Sequence, residues 1–233
     1  MVNYMKSEWY RITHTKDIYV TTGILAGLTL FINLMLYITD HKSENFRYGT
    51  VSFSLSLLIS GMYVIVMAAM GLALALFAGN WKNGILKNAV AGGISREKIF
   101  LGKCVVGTVA AFFSMVVILA VYIGSAVLLL DNGVVDEAVG IALRGVGSTL
   151  LMAIASLILT IVLNSCLERE GSALLAWCTI MNLVPEICNL LGTKIVLFKR
   201  IAGWMPNNYL SDEVVANMSG WQCLWETPEG LAK

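Results

Sequence analysis

Polar and apolar positions fall in long blocks along this chain rather than in the two-residue alternation of strands. Five apolar stretches, residues 18–38, 51–78, 104–130, 139–163 and 171–191, each approach or exceed the roughly 20 residues that a helix needs to cross a bilayer core. They predict five spanning helices. The second and third exceed the minimum and are expected to tilt or to project a turn beyond the bilayer.

The longest polar interruption, Asn80 to Lys103, separates the second and third of these runs. Trp81, Ile85 and Ala89 recur at helical spacing, with Lys82, Lys87 and Asn88 on other faces, which predicts a short amphipathic helix over residues 80–91. Gly92-Gly93 offers the left-handed conformation that ends a helix. Ser95 is then a suitable N-cap and Glu97 a first-turn carboxylate, so a new helix is expected to start there and run into the third span.

Residues 4–16 are also amphipathic, with Met5, Trp9 and Ile12 on an apolar stripe and Lys6, Arg11 and Lys16 on a basic face. They predict a helix lying along the membrane interface. After Leu191, Ile195–Phe198 and Ile201–Met205 are short apolar pieces split by Lys199-Arg200, and Pro206-Asn207-Asn208 reads as a turn. Trp204, Tyr209, Trp221 and Trp225 give this region an interfacial signature, so residues 193–225 are expected to form short helices on or dipping into the outer leaflet. No tandem repeat is visible.

Composition strengthens the membrane reading. Of 233 residues 58% are hydrophobic and only 13% charged, with a mean hydropathy of +0.76, against roughly 25% charge in soluble domains. The formal net charge of +1 gives no reason to expect nucleic acid as a partner. Cys104, Cys166, Cys178, Cys188 and Cys223 have no CxxC spacing, so neither a disulfide framework nor a metal site is expected. The first apolar run lacks a small-residue cleavage pattern and is expected to be retained. With the N-terminus inside, the inner segments carry Lys6, Arg11, Lys16, Lys82, Lys87, Arg96, Lys98, Lys103 and Arg169, whereas the outer loops carry Lys42 and Arg47. The positive-inside rule favours that orientation, although Lys194, Lys199 and Arg200 follow the fifth span on the outer side.

Two charges lie within the spans, where insertion costs about 2.5–3.5 kcal/mol each. Arg144 in span four and Glu186 in span five are at similar depth, which suggests an ion pair near the outer leaflet, the alternative being that each snorkels to the interface on its own. Pro185 removes a backbone donor and is expected to kink span five. Gly23 and Gly27 form a GxxxG in span one and mark a helix-packing face. The chain contains no phosphate-cradling GxxxxGK[ST], no HExxH around His14 or His41 and no GxSxG. Catalysis by this chain is not expected.

Trp81-Lys82-Asn83-Gly84-Ile85-Leu86-Lys87-Asn88, the Gly93-Ile94-Ser95-Arg96 turn and the Leu101-Gly102-Lys103 exit resemble the cytoplasmic segment between the second and third spans of ABC-2 type transporter permeases. The Ser7-Glu8-Trp9-Tyr10 start of the interfacial segment is similar as well. Two positions depart from the family pattern: Asn80 stands where a glutamate is common and Ile85 where a threonine is. The family has six spans, and the last does not occur in this sequence. The resemblance implies an all-α polytopic membrane protein, a single transmembrane domain over residues 1–233 in the cytoplasmic membrane. It implies a permease subunit of an ATP-driven exporter, paired with a second permease copy or a homologous permease, and with spans one and five as interface candidates. ATP and Mg would then bind a separate nucleotide-binding subunit, with no cofactor on this chain. Residues 80–91 would be the coupling helix, with Trp81, Lys82, Gly84, Ile85, Lys87, Asn88, Gly93, Ser95 and Arg96 at or beside the contact. Spans this apolar favour an amphipathic or lipophilic cargo, such as an antimicrobial peptide, a lipid-like molecule or a drug. The competing reading is a non-transport membrane protein whose basic inner loop docks a partner, as in an assembly factor or sensor.

Overall fold

A computed structural model describes residues 2–42, 49–77, 93, 95–131, 135–167, 169–203 and 205. The described residues are helical almost throughout. In chain order the helices are α1 (Val2–His14), α2 (Lys16–Lys42), α3 (Val51–Ser60), α4 (Tyr63–Phe77), α5 (Arg96–Leu129), α6 (Val135–Leu167), α7 (Glu170–Cys178), a π-helical turn (Thr179–Leu183), α8 (Val184–Gly192) and α9 (Val196–Gly203). Among the described residues four helical stretches are long and apolar enough to cross a membrane: α2, α5, the 138–167 part of α6, and the continuous run from Glu170 to Gly192. A fifth is gained if the bent pair α3–α4 is one span.

That bend corrects the expectation of one continuous helix over residues 51–78. The chain turns by 69° between α3 and α4. Ser60 and Gly61 supply the cause: Gly61 closes α3 through its N–H to Leu57 O at 3.0 Å, and the Ser60 hydroxyl donates to the same carbonyl at 3.1 Å. A Ser-Gly pair is a recognised site of sharp helix bending. Thr50 caps the other end of α3, accepting from Phe53 N at 3.3 Å.

The core sits where α4, α5 and α6 meet. Helix α6 lies along α4 and α2 along α5. The buried stripe of α6 runs through Ala142, Thr149, Ala153, Ser156, Thr160 and Asn164, mostly small residues at three- and four-residue spacing, which lets the α4 backbone come close. Residues 49–51 meet Asp131 in a short parallel bridge, Val51 N to Asp131 O at 3.2 Å and Asp131 N to Gly49 O at 3.1 Å. This ties the start of α3 to the end of α5.

One local expectation changes at the C-terminal end. Residues 196–203 form one helix that passes straight through Lys199-Arg200, rather than two apolar pieces split there. It folds back on α8 at Gly192, whose missing Cβ would sit 3.0 Å from the Lys199 backbone. The expected tail residues Trp204, Tyr209, Trp221 and Trp225 lie outside the described residues.

Candidate functional site

Helix α1 turns a mixed face inward rather than the apolar stripe of Met5, Trp9 and Ile12. Its buried residues are Glu8 and Ile12, while Trp9 is exposed. Arg11, one turn beyond Glu8, holds the carboxylate by two contacts, Nε to Oε2 at 3.2 Å and Nη2 to Oε1 at 2.7 Å. The same Nη2 donates to Leu76 O at 3.1 Å. Leu76 is in the last turn of α4, where carbonyls lack intrahelical partners and a cation complements the helix dipole. Arg11 therefore turns inward instead of joining Lys6 and Lys16 on an outer basic face.

The other side of this cluster is the first part of α5. Lys103 is buried, with Nζ 5.4 Å from the Phe77 ring centroid, and the Arg11 guanidinium carbon lies 6.0 Å from that centroid. Two cations thus flank one ring near the Glu8 carboxylate, a cation–π arrangement that desolvation strengthens. Gly102 approaches the Tyr4 ring so closely that a Cβ there would lie 2.8 Å from it. Burial pushes the Tyr4 phenol up to about 12, the Glu8 charge adds to the rise, and Arg11 opposes it. Helix α1 thereby holds the last residues of α4 and the first turns of α5, the two ends of the polar segment 78–95.

A second polar cluster joins α2, α3 and α5. Asn33, 0% exposed, is the only buried residue of α2. Its Nδ2 donates to Tyr122 O at 2.9 Å and Ser125 Oγ at 2.7 Å, and its Oδ1 accepts from Ser54 Oγ at 2.6 Å. The Tyr122 hydroxyl in turn donates to Ser54 O. Both amide protons and the amide oxygen are used, so the burial of this polar group is offset by partners on two other helices.

The third feature joins the two irregular spans. Tyr63 opens α4 immediately after the bend, and its hydroxyl donates to Asn182 Oδ1 at 3.0 Å and approaches Met181 O at 3.4 Å. Both partners lie in the π-helical turn Thr179–Leu183. Pro185 has no N–H to offer Met181 O four residues back, and the Tyr63 hydroxyl lies 3.4 Å from that carbonyl. On the buried side Ser156 Oγ donates to Val66 O and accepts from Trp177 Nε1, each at 3.1 Å, locking α7 to α4 and α6.

The residues singled out in the sequence are placed as follows. Trp81, Lys82, Gly84, Ile85, Lys87 and Asn88, with the expected helix over 80–91, lie outside the described residues. Gly93 has a φ of 81°, in the left-handed region that favours glycine. Ser95 precedes α5 in an extended conformation but its side chain makes no capping hydrogen bond, and Arg96 begins the helix. Pro185 stands in the first turn of α8, directly after the π-turn. Gly23 and Gly27 have no neighbouring atom within 4 Å of where a Cβ would be, so among the described residues no other helix packs closely on them.

Arg144 and Glu186 do not form the expected ion pair with each other. Both side chains are exposed. Arg144 is two residues past Ala142 and five before Thr149, so it faces away from the inward stripe of α6.

Three features escaped the sequence reading. The Glu8–Arg11 pair was detectable as opposite charges at i, i+3, and Asn33 as an amide in an apolar run. Tyr63 carried no comparable signal, because its role depends on a turn over a hundred residues away. A scan against protein-family models, a search of curated proteins and a search of solved structures each find no match to this chain.

Proposed function

We propose that this chain is the membrane-spanning permease subunit of an ATP-driven exporter of the ABC-2 type, in the cytoplasmic membrane with its N-terminus inside. It moves an amphipathic or lipophilic substrate, and a separate nucleotide-binding subunit hydrolyses ATP. The observation that carries the reading is the hold of α1 on both ends of residues 78–95, through Leu76 and Phe77 on α4 and Gly102 and Lys103 on α5. A segment that receives a push from a partner transmits it only if its ends are coupled to spanning helices with little slack. Here the C-terminal end leads into one uninterrupted helix, α5, of 34 residues.

The irregular spans support moving parts. Broken helices and π-turns are enriched at functional sites and provide backbone groups that can change partners. The Tyr63 contact couples the α3–α4 bend to the π-turn before Pro185, and these two spans are the proposed moving walls of the substrate path. A second permease copy would face α2 and the α7–α8 span, whose surfaces carry exposed Ile24, Leu28, Leu183 and Leu190.

Purification of the tagged chain from its native membranes tests this reading. A Walker-motif ATPase should accompany the wild type and be lost from the Trp81→Ala plus Ile85→Ala variant. Retention by the variant rejects the coupling role, and purification with a partner lacking any ATPase motif favours a docking protein instead.

A further inference from the structure

A cavity of about 550 Å³ lies between α1, α2 and α5, walled by Trp9, Ile12, Gly23, Ala26, Ala110 and Phe113 among others. We infer that it holds the hydrocarbon chain of a phospholipid, drawn sideways from the leaflet against which α1 lies. The inference rests on the membrane-spanning character of the chain and the surface position of α1, not on transport.

The cavity follows from how α2 is attached. Asn33 is the only buried residue of α2, and Gly23 is ten residues away, about 15 Å along the helix axis. At that end Gly23 and Ala26 offer α5 no bulk, and a Cβ at Gly23 would meet open space. On the α5 side Ala110 is equally small, while Phe113 closes the wall with its ring edge-on to Trp9, centroids 6.4 Å apart. The volume is within the roughly 300–1,000 Å³ of small-molecule pockets.

The chemistry of the walls selects the occupant. Water gains little in a cavity with so few polar groups, so an apolar filler is favoured. The neighbouring surfaces of α2 and α5, exposed at Val20, Ile24, Val109 and Val116, are apolar too, so a lipid chain reaches the cavity without crossing a polar barrier. The rim at α1 differs. Tyr19 donates through its hydroxyl to Thr13 O at 2.8 Å, and the exposed Lys6 and Lys16 stand one helical turn from Trp9 and Tyr19. Those two cations outweigh the single exposed carboxylate of Asp17, which suits a phosphate headgroup. Trp and Tyr at such a rim match the level at which amphipathic rings meet headgroups.

The test uses the whole chain, without any partner, in vesicles of phosphatidylglycerol and phosphatidylethanolamine. A small fraction of the phosphatidylglycerol carries a photoactivatable diazirine in its acyl chain. After illumination and digestion, the buried cavity residues Ala110 and Ser114 should be labelled more heavily than outer-face residues such as Leu151 and Leu128. Gly23→Leu, which fills the cavity, should abolish the excess at Ala110 and Ser114 while leaving Leu151 and Leu128 labelled as before. Ala26→Leu serves as a second filling variant, and unchanged outer-face labelling reports that each variant is folded. Labelling of Ala110 and Ser114 no heavier than that of Leu151, or an excess that persists in both folded filling variants, overturns the assignment.

Discussion

The guanidinium of Arg11 donates to the main-chain carbonyl of Leu76 at 3.1 Å, so an N-terminal helix is bonded to the last turn of α4, 65 residues further along. Because the same guanidinium holds Glu8 at two points, removing the carboxylate loosens both links. Glu8→Gln is expected to weaken the docking of α1 by about 1–2 kcal/mol, less than for a fully enclosed pair because Arg11 remains partly exposed. Hydrogen exchange of the α1 amides measures this: exchange should accelerate in α1 and stay unchanged in α6.

The neutral Tyr4 phenol is favoured when α1 is docked, which makes docking pH-dependent. Its folded value of about 12 lies above the ordinary 10.0, so the docked form keeps a proton that the released form gives up in between. Its contribution is therefore complete below pH 10 and is lost as pH rises toward 12. Exchange of the α1 amides should show this loss in the wild type, whereas Tyr4→Phe should lack that component.

Gly102 is the sharpest steric test of the clasp. A valine there places a Cβ 2.8 Å from the Tyr4 ring, where one of the two must move. Gly102→Val should free α1 to limited proteolysis while α5, which is helical on both sides of the position, retains its length. Protection of α1 equal to that of the wild type would show that the contact does not hold the helix.

Asn33 is the anchor of α2, and its loss leaves Ser54 and Ser125 each short of a partner. Asn33→Ala should cost on the order of 1–2 kcal/mol, near the upper end of side-chain hydrogen bonds measured within membranes. A double-mutant cycle with Ser54→Ala should show coupling, because both changes break the same 2.6 Å bond. Additive effects on thermal unfolding would remove the network as an explanation of how α2 is held.

Legibility in the sequence followed the range of the interaction. The apolar runs 18–38, 104–130, 139–163 and 171–191 each correspond to one long helical stretch, because burial and bilayer length both act within one segment. Residues 51–78 misled for the same reason. Their hydropathy is continuous, and only the short Ser60-Gly61 signal marked the bend. Arg144 and Glu186 looked like partners by depth alone, but depth omits azimuth, and the inward stripe of α6 turns Arg144 away. Glu8 shows the opposite case: a carboxylate of the interfacial segment is buried because Arg11 stands one turn away and Lys103 comes from another helix.

Tyr63 joins the two irregular spans, so it separates stability from function. Tyr63→Phe keeps the ring and removes the bonds to Asn182 and Met181, with an expected stability cost of only about 0.5–1 kcal/mol. The most direct test of the permease account is ATP-dependent movement of a fluorescent amphipathic peptide in vesicles containing this chain and its co-purified ATPase. The account predicts movement that requires ATP, is lost with Trp81→Ala plus Ile85→Ala, and is slowed by Tyr63→Phe while the complex stays assembled. Movement that proceeds equally without ATP, or no movement of this or other amphipathic and lipophilic cargo by an assembled, hydrolysing complex, would contradict it.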